Sequence, residues 1–132
     1  MDVLTTSSRA RPLSALDAVE RRSDTEIFAT KLVRADDPYL VGHYPGFTIY
    51  PGVFIIESVT QAVRSEFDAD LTTITSVRFT TSLVPGDTLR VHCEYVRDGE
   101  ILMVRAECHN GDGVRAAQMR LVFRVAGVPA DA

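Results

Sequence analysis

Only one lysine, Lys31, stands beside thirteen arginines, and those arginines form no run. With 18 acidic against 14 basic residues and a net charge of -4, the chain has no basic field suited to nucleic acid. Cysteine is scarce. Cys93 and Cys108 lack metal-ligand spacing, and two such thiols without a secretory signal read as reduced, buried side chains. Met1 to Leu16 has no apolar core of the kind a signal peptide carries, so the expected location is the cytoplasm. No apolar run approaches the length of about 18 residues that a membrane helix needs.

The remaining composition is that of a globular domain. Hydrophobic residues are 45% and charged residues 24% of 132 residues, enough for one domain with one core. Residues 1–12, rich in Ser, Thr and Arg, read as a frayed tail, and 13–127 as a single domain. From Leu13 to Val33, two apolar-bearing stretches flank a turn at Arg21-Arg22-Ser23-Asp24 and predict two strands. Residues 38–52 hold three prolines and three glycines, a loop held in a specific shape. Pro51 at a first helical position then opens a helix predicted to reach about Phe67. Its apolar residues cover more than one face, which predicts a mostly buried helix about 24 Å long.

Strand signals fill the rest. Thr73–Leu83 is rich in β-branched residues, and Pro85-Gly86-Asp87 reads as a turn. Leu89, Val91, Cys93 and Tyr95 alternate with polar neighbours, as do Leu102 to Cys108 and Ala117 to Val125. Asp98-Gly99 and Asn110-Gly111-Asp112-Gly113 supply the hairpin turns between them. The sum is an α+β domain of one central helix and about six antiparallel strands. One helix on such a sheet leaves edges open, and edges invite another chain, so an edge-to-edge homodimer is expected.

Chemistry concentrates in the stretch from Gly42 to Gln61. His43 lies on the Pro/Gly loop and Glu57 on the helix behind it. Histidine is readily poised to take a proton near neutral pH, and a carboxyl in apolar surroundings can return one. The backbone N–H of Gly52, at the helix N-terminus, is a candidate donor to a developing oxyanion. Gln61, four residues beyond Glu57, shares its helical face and can orient it by a hydrogen bond. Tyr44 and Tyr50 read as loop packing, and His92 and His109 as ordinary strand residues.

His43-Tyr44-Pro45-Gly46, Pro51-Gly52-Val53, Glu57 and Gln61 together resemble the signature of the FabZ-type 3-hydroxyacyl-[acyl-carrier-protein] dehydratases of the hot-dog fold. Lys31, the segment from Asp37 to Gly42, Val77-Arg78-Phe79 and the segment from Val84 to Arg90 extend the similarity over roughly residues 15–126. The resemblance implies a long helix wrapped by a curved antiparallel sheet, working as a homodimer or higher homo-oligomer. It implies a site at the dimer interface, with His43 from one subunit and Glu57 from the other, supported by Gly52, Pro51, Gly46 and Gln61. It implies a lyase that removes water from a 3-hydroxyacyl thioester, on acyl carrier protein or coenzyme A, to give the trans-2-enoyl thioester, in fatty-acid or polyketide-type assembly. No metal or other cofactor is implied.

The chain departs from the family pattern at three places. Arg11 to Leu16 keeps little of a Pro-His-Arg type segment, Phe47-Thr48 stands where Arg-Pro is usual, and Thr80-Thr81 replaces two basic residues after Phe79. Basic residues by a tunnel mouth suit an acidic carrier, so their absence points to a specialised partner, such as a polyketide-type carrier or a coenzyme A thioester. Two other readings stand beside the dehydratase: an acyl thioesterase of the same fold, and a non-catalytic acyl-binding partner subunit.

Overall fold

The computed structural model describes residues 16–34, 36 and 49–126. The predicted tail at 1–12, both ends of the predicted domain, His43, Tyr44 and Gly46 lie outside the described residues. The elements are β1 (Ala18–Ser23), β2 (Glu26–Leu32), α1 (Gly52–Arg64), β3 (Ala69–Phe79), β4 (Thr88–Asp98), β5 (Ile101–His109) and β6 (Arg115–Val125). All six strands join one antiparallel sheet in the order β1-β2-β4-β5-β6-β3.

Turn chemistry sets the hairpins. β4 and β5 meet through Gly99-Glu100, and Gly99 takes a φ of 62°, a conformation that glycine adopts without strain. Asn110 closes the β5–β6 connection by accepting the N–H groups of Asp112 and Val114 on its Oδ1, at 2.9 and 3.0 Å. At Val84–Asp87 the Asp87 carboxylate accepts the Val84 N–H at 3.0 Å, and the Val33 N–H then bonds the Asp87 carbonyl at 2.8 Å.

Strand alternation sends one side chain in two toward the helix. Val91, Cys93 and Tyr95 of β4, Leu102, Val104, Ala106 and Cys108 of β5, and Met119, Leu121 and Phe123 of β6 are all buried. The helix adds Ile55, Val59, Ala62 and Val63 to the same core. It packs against β2, β4 and β3, strands that lie toward opposite ends of the sheet, so the sheet bends around it. This is the hot-dog arrangement expected from the sequence.

Some boundaries differ from the expectation. The helix stops at Arg64 rather than Phe67, with Ser65 as its C-cap. Phe67, released from the helix, packs edge-on against Tyr95 with ring centroids 5.1 Å apart. The strand expected at Thr73–Leu83 runs instead over Ala69–Phe79. It begins early because β6 is long enough to pair with it from Val125 to Ala117. It ends early because Leu83 turns inward, fully buried, and its carbonyl accepts the Tyr50 N–H at 2.7 Å. The first turn falls at Asp24-Thr25, after β1 has run through Ser23. The helix is less enclosed than predicted, since Val53 is 58% exposed and Phe54, Ile56 and Glu57 are half-buried.

Candidate active site

The chain enters the helix through Tyr50 and Pro51. Tyr50 is buried, and its hydroxyl lies 3.4 Å from Ser58 Oγ, which in turn donates to the Phe54 carbonyl at 2.8 Å. This anchors the entering segment to the second turn of the helix. Pro51 is the N-cap in extended geometry, with φ -63° and ψ 140°, and no side chain caps the first turn. No acidic residue occupies that turn. The leading N–H groups of a helix lack intrahelical partners and carry the positive end of its dipole, so this end is built to receive negative charge.

Glu57 lies one and a half turns further along, on the face that also carries Val53 and Gln61. Its own sheet does not cover this face fully, as the exposure of Val53 shows. Gln61 is buried, and its Nε2 donates to Glu57 Oε2 at 3.0 Å. The hydrogen bond expected from their four-residue spacing is therefore formed. It fixes one carboxylate oxygen and leaves the other available.

A cavity of about 300 Å³ opens at the helix N-terminus, lined by Ile49, Tyr50, Gly52, Ile55, Phe79 and Leu83 among others. The structure thus places Gly52, Glu57 and Gln61 on one helix with Pro51 as its N-cap, and Gly52 lines the cavity, while His43 and Gly46 lie outside the described residues. Phe79 and Ser58 were not marked as site residues by the sequence. Phe79 reaches Gly52 only through the crossing of β3 and the helix, and local pattern carries no signal for that.

Among the described residues, one group of side chains has metal-ligating potential. Glu26, His92 and Glu94 bring one donor atom each to within 4.8 Å of one another. They lie on the opposite sheet face, in register across β2 and β4. Each is already engaged: His92 Nε2 with Glu26 at 3.1 Å, and Glu94 with Arg105. Phe28 stacks on His92 at 4.3 Å, and the Arg22 guanidinium sits 4.0 Å above Phe28. The Arg105 guanidinium holds the Glu94 carboxyl below its ordinary range. His92 is thus hydrogen-bonded to Glu26 and stacked on Phe28 at the surface of the sheet. The two cysteines are free and buried, as expected.

Comparison with known proteins bears on the family and the fold. The ApeI-like family, described as ApeI dehydratase, matches residues 19–120. The 3-hydroxyacyl-[acyl-carrier-protein] dehydratase FabZ of Deinococcus radiodurans is 31% identical, across 95% of this chain and 92% of that protein. The FabZ of Streptococcus mutans is 33% identical, across 86% and 88%. Among solved structures, the dehydratase heterocomplex ApeI:P from Xenorhabdus doucetiae superimposes with a TM-score of 0.69 at 22% identity, covering 86% of this chain and 83% of that one. A Streptococcus mutans protein bound to acetyl CoA superimposes with a TM-score of 0.68 at 20% identity, over 90% and 94%. With its family match spanning most of the sheet and the whole helix, the chain belongs to the ApeI-like, FabZ-type dehydratases of the hot-dog fold and is a hydro-lyase.

Proposed function

We propose that the substrate is a 3-hydroxyacyl thioester, carried on acyl carrier protein or coenzyme A, and that the product is the trans-2-enoyl thioester. The observation that carries this reading is the Glu57–Gln61 hydrogen bond on a half-open helix face, one and a half turns from an uncapped helix N-terminus. The Gly52 N–H receives the thioester carbonyl oxygen. His43 removes a proton from C2, and the electron pair forms the C2–C3 double bond as the C3–O bond breaks. Glu57 delivers a proton to the departing hydroxyl, which leaves as water. His43 then carries the added proton and Glu57 has lost one, and exchange with solvent resets both. Gln61 holds Glu57 in position, while Pro51 and Gly46 shape the backbone on either side.

In this reading two copies of the chain complete the site, with His43 coming from the partner subunit. The β3 edge supports it. This strand is eleven residues long and pairs only with β6 among the described residues. It leaves Ile74, Val77 and Phe79 between 38 and 47% exposed. A long edge with apolar side chains is a template for pairing with another copy. The expected location is the cytoplasm, consistent with free buried thiols. Among the described residues, no helix is long and apolar enough to cross a membrane.

Mass spectrometry of 3-hydroxybutyryl thioesters on carrier protein and on coenzyme A tests the reaction, using wild type, His43→Ala and Glu57→Gln. The expected result is loss of one water with the thioester retained, abolished in both variants. Free acid would instead establish a thioesterase. An unchanged substrate on both carriers would indicate a binding subunit that needs a different partner.

A further inference from the structure

The Phe79 ring occupies the one space that Gly52 leaves open. A Cβ built on Gly52 would lie 2.8 Å from Phe79 Cζ, 2.9 Å from Cε2 and 3.2 Å from Cε1. The two shorter distances are ones that real Cβ atoms essentially never show, so the far edge of the ring sits against the Gly52 backbone itself. Phe79 is the last residue of β3, paired with Ala117 on β6. Just beyond it, the Thr80 N–H bonds the Ala116 carbonyl at 2.9 Å, and Thr80 Oγ1 donates to the Arg115 carbonyl at 2.8 Å. The backbone beneath the ring is therefore held, and the ring edge, on a side chain 47% exposed, lines the cavity at the helix N-terminus.

We infer that Phe79 sets specificity at carbon 2 of the acyl group, admitting thioesters unbranched there and rejecting those with a methyl substituent. The inference rests on the proposed dehydration. A carbonyl oxygen held by the Gly52 N–H at about 2.9 Å brings C2 of the chain alongside the Gly52 Cα, where the ring edge already lies. A methyl on C2 and the ring compete for one volume. One methyl group in an apolar pocket is worth discrimination of about 10- to 200-fold.

The test compares kcat/KM for N-acetylcysteamine thioesters of 3-hydroxybutyrate and of 2-methyl-3-hydroxybutyrate, the latter as separated diastereomers. Wild type, Phe79→Leu and Phe79→Ala are measured. Because a folding defect lowers both rates together, the ratio between the two substrates is the readout. The expected preference of wild type for the unbranched substrate is at least about tenfold, falling to below about threefold in Phe79→Ala, with Phe79→Leu between them. An unchanged ratio in Phe79→Ala, or no preference in wild type, overturns the inference while leaving the dehydratase reading standing. A wild type that dehydrates neither thioester, in this form or on carrier protein or coenzyme A, overturns both.

Discussion

Replacing Gln61 by leucine tests the positioning of Glu57. The substitution roughly conserves volume and removes the Nε2 that donates to Glu57 Oε2 at 3.0 Å. Gln61 is only 8% exposed, so water does not readily take its place. A hydrogen bond to a charged group contributes about 1.5–3 kcal/mol. If that contribution is realised as the proton is passed to the leaving hydroxyl, kcat falls about 10- to 150-fold, at about 1.4 kcal/mol per factor of ten. KM changes less, because among the described residues Gln61 acts through its bond to Glu57. The assay follows formation of the enoyl thioester from a 3-hydroxyacyl thioester across the pH range, with a thermal melt run in parallel. Gln61→Glu is the companion variant. A second carboxyl at hydrogen-bonding distance raises the apparent pKa of the pair, so the pH–rate profile moves upward, a shift that loss of folded protein does not produce. A folded Gln61→Leu enzyme with wild-type kcat and an unmoved Gln61→Glu profile would refute this account of Glu57.

Three further outcomes follow from the packing and charges. Val77→Lys places a cation on the apolar edge of β3, where Val77 is 38% exposed, and is expected to convert a dimer to a monomer by light scattering and to abolish activity with it. Phe123 is fully buried, so Phe123→Ala lowers unfolding free energy by about 3–5 kcal/mol in urea titration, with the slope unchanged. Burial pushes the Cys108 thiol up to about 12 and Cys93 higher still, so neither thiol reacts with a disulfide reagent at pH 8 in the folded protein, and both react in denaturant. A fourth concerns pH. The Arg105 guanidinium holds the Glu94 carboxyl below its ordinary value, so this exposed pair adds stability above the ordinary carboxylate range and loses it as pH falls through the lowered value. Arg105→Ala should therefore melt earlier than wild type at pH 7, with the difference vanishing in strong acid.

Much of the architecture was legible in the chain because it rests on local rules. Alternation along β4, β5 and β6 assigned the buried face, since side chains of a strand point to opposite sides in turn. Gly99 and Asn110 announced the hairpins because their turns need backbone states or local hydrogen bonds that few residues supply. The four-residue spacing of Glu57 and Gln61 foretold their hydrogen bond, because a helix places such residues side by side. What escaped notice depended on partners distant in sequence. The limits of β3 were set by the length of β6 and by the burial of Leu83 under Tyr50. The early end of the helix freed Phe67 to meet Tyr95, 28 positions later.

By itself, the sequence determined the element order, the turns, the helix bearing Glu57 and the dehydratase family, because each is written in residues near one another or in a contiguous motif. Only the tertiary structure decided that the Phe79 ring lies against Gly52 and that Glu26, His92 and Glu94 converge on the far face. It also decided that β3, with its apolar side chains, is left at the sheet edge. These are meetings between separate strands and the helix. They follow from how the sheet bends around its core, and no local periodicity encodes that bend.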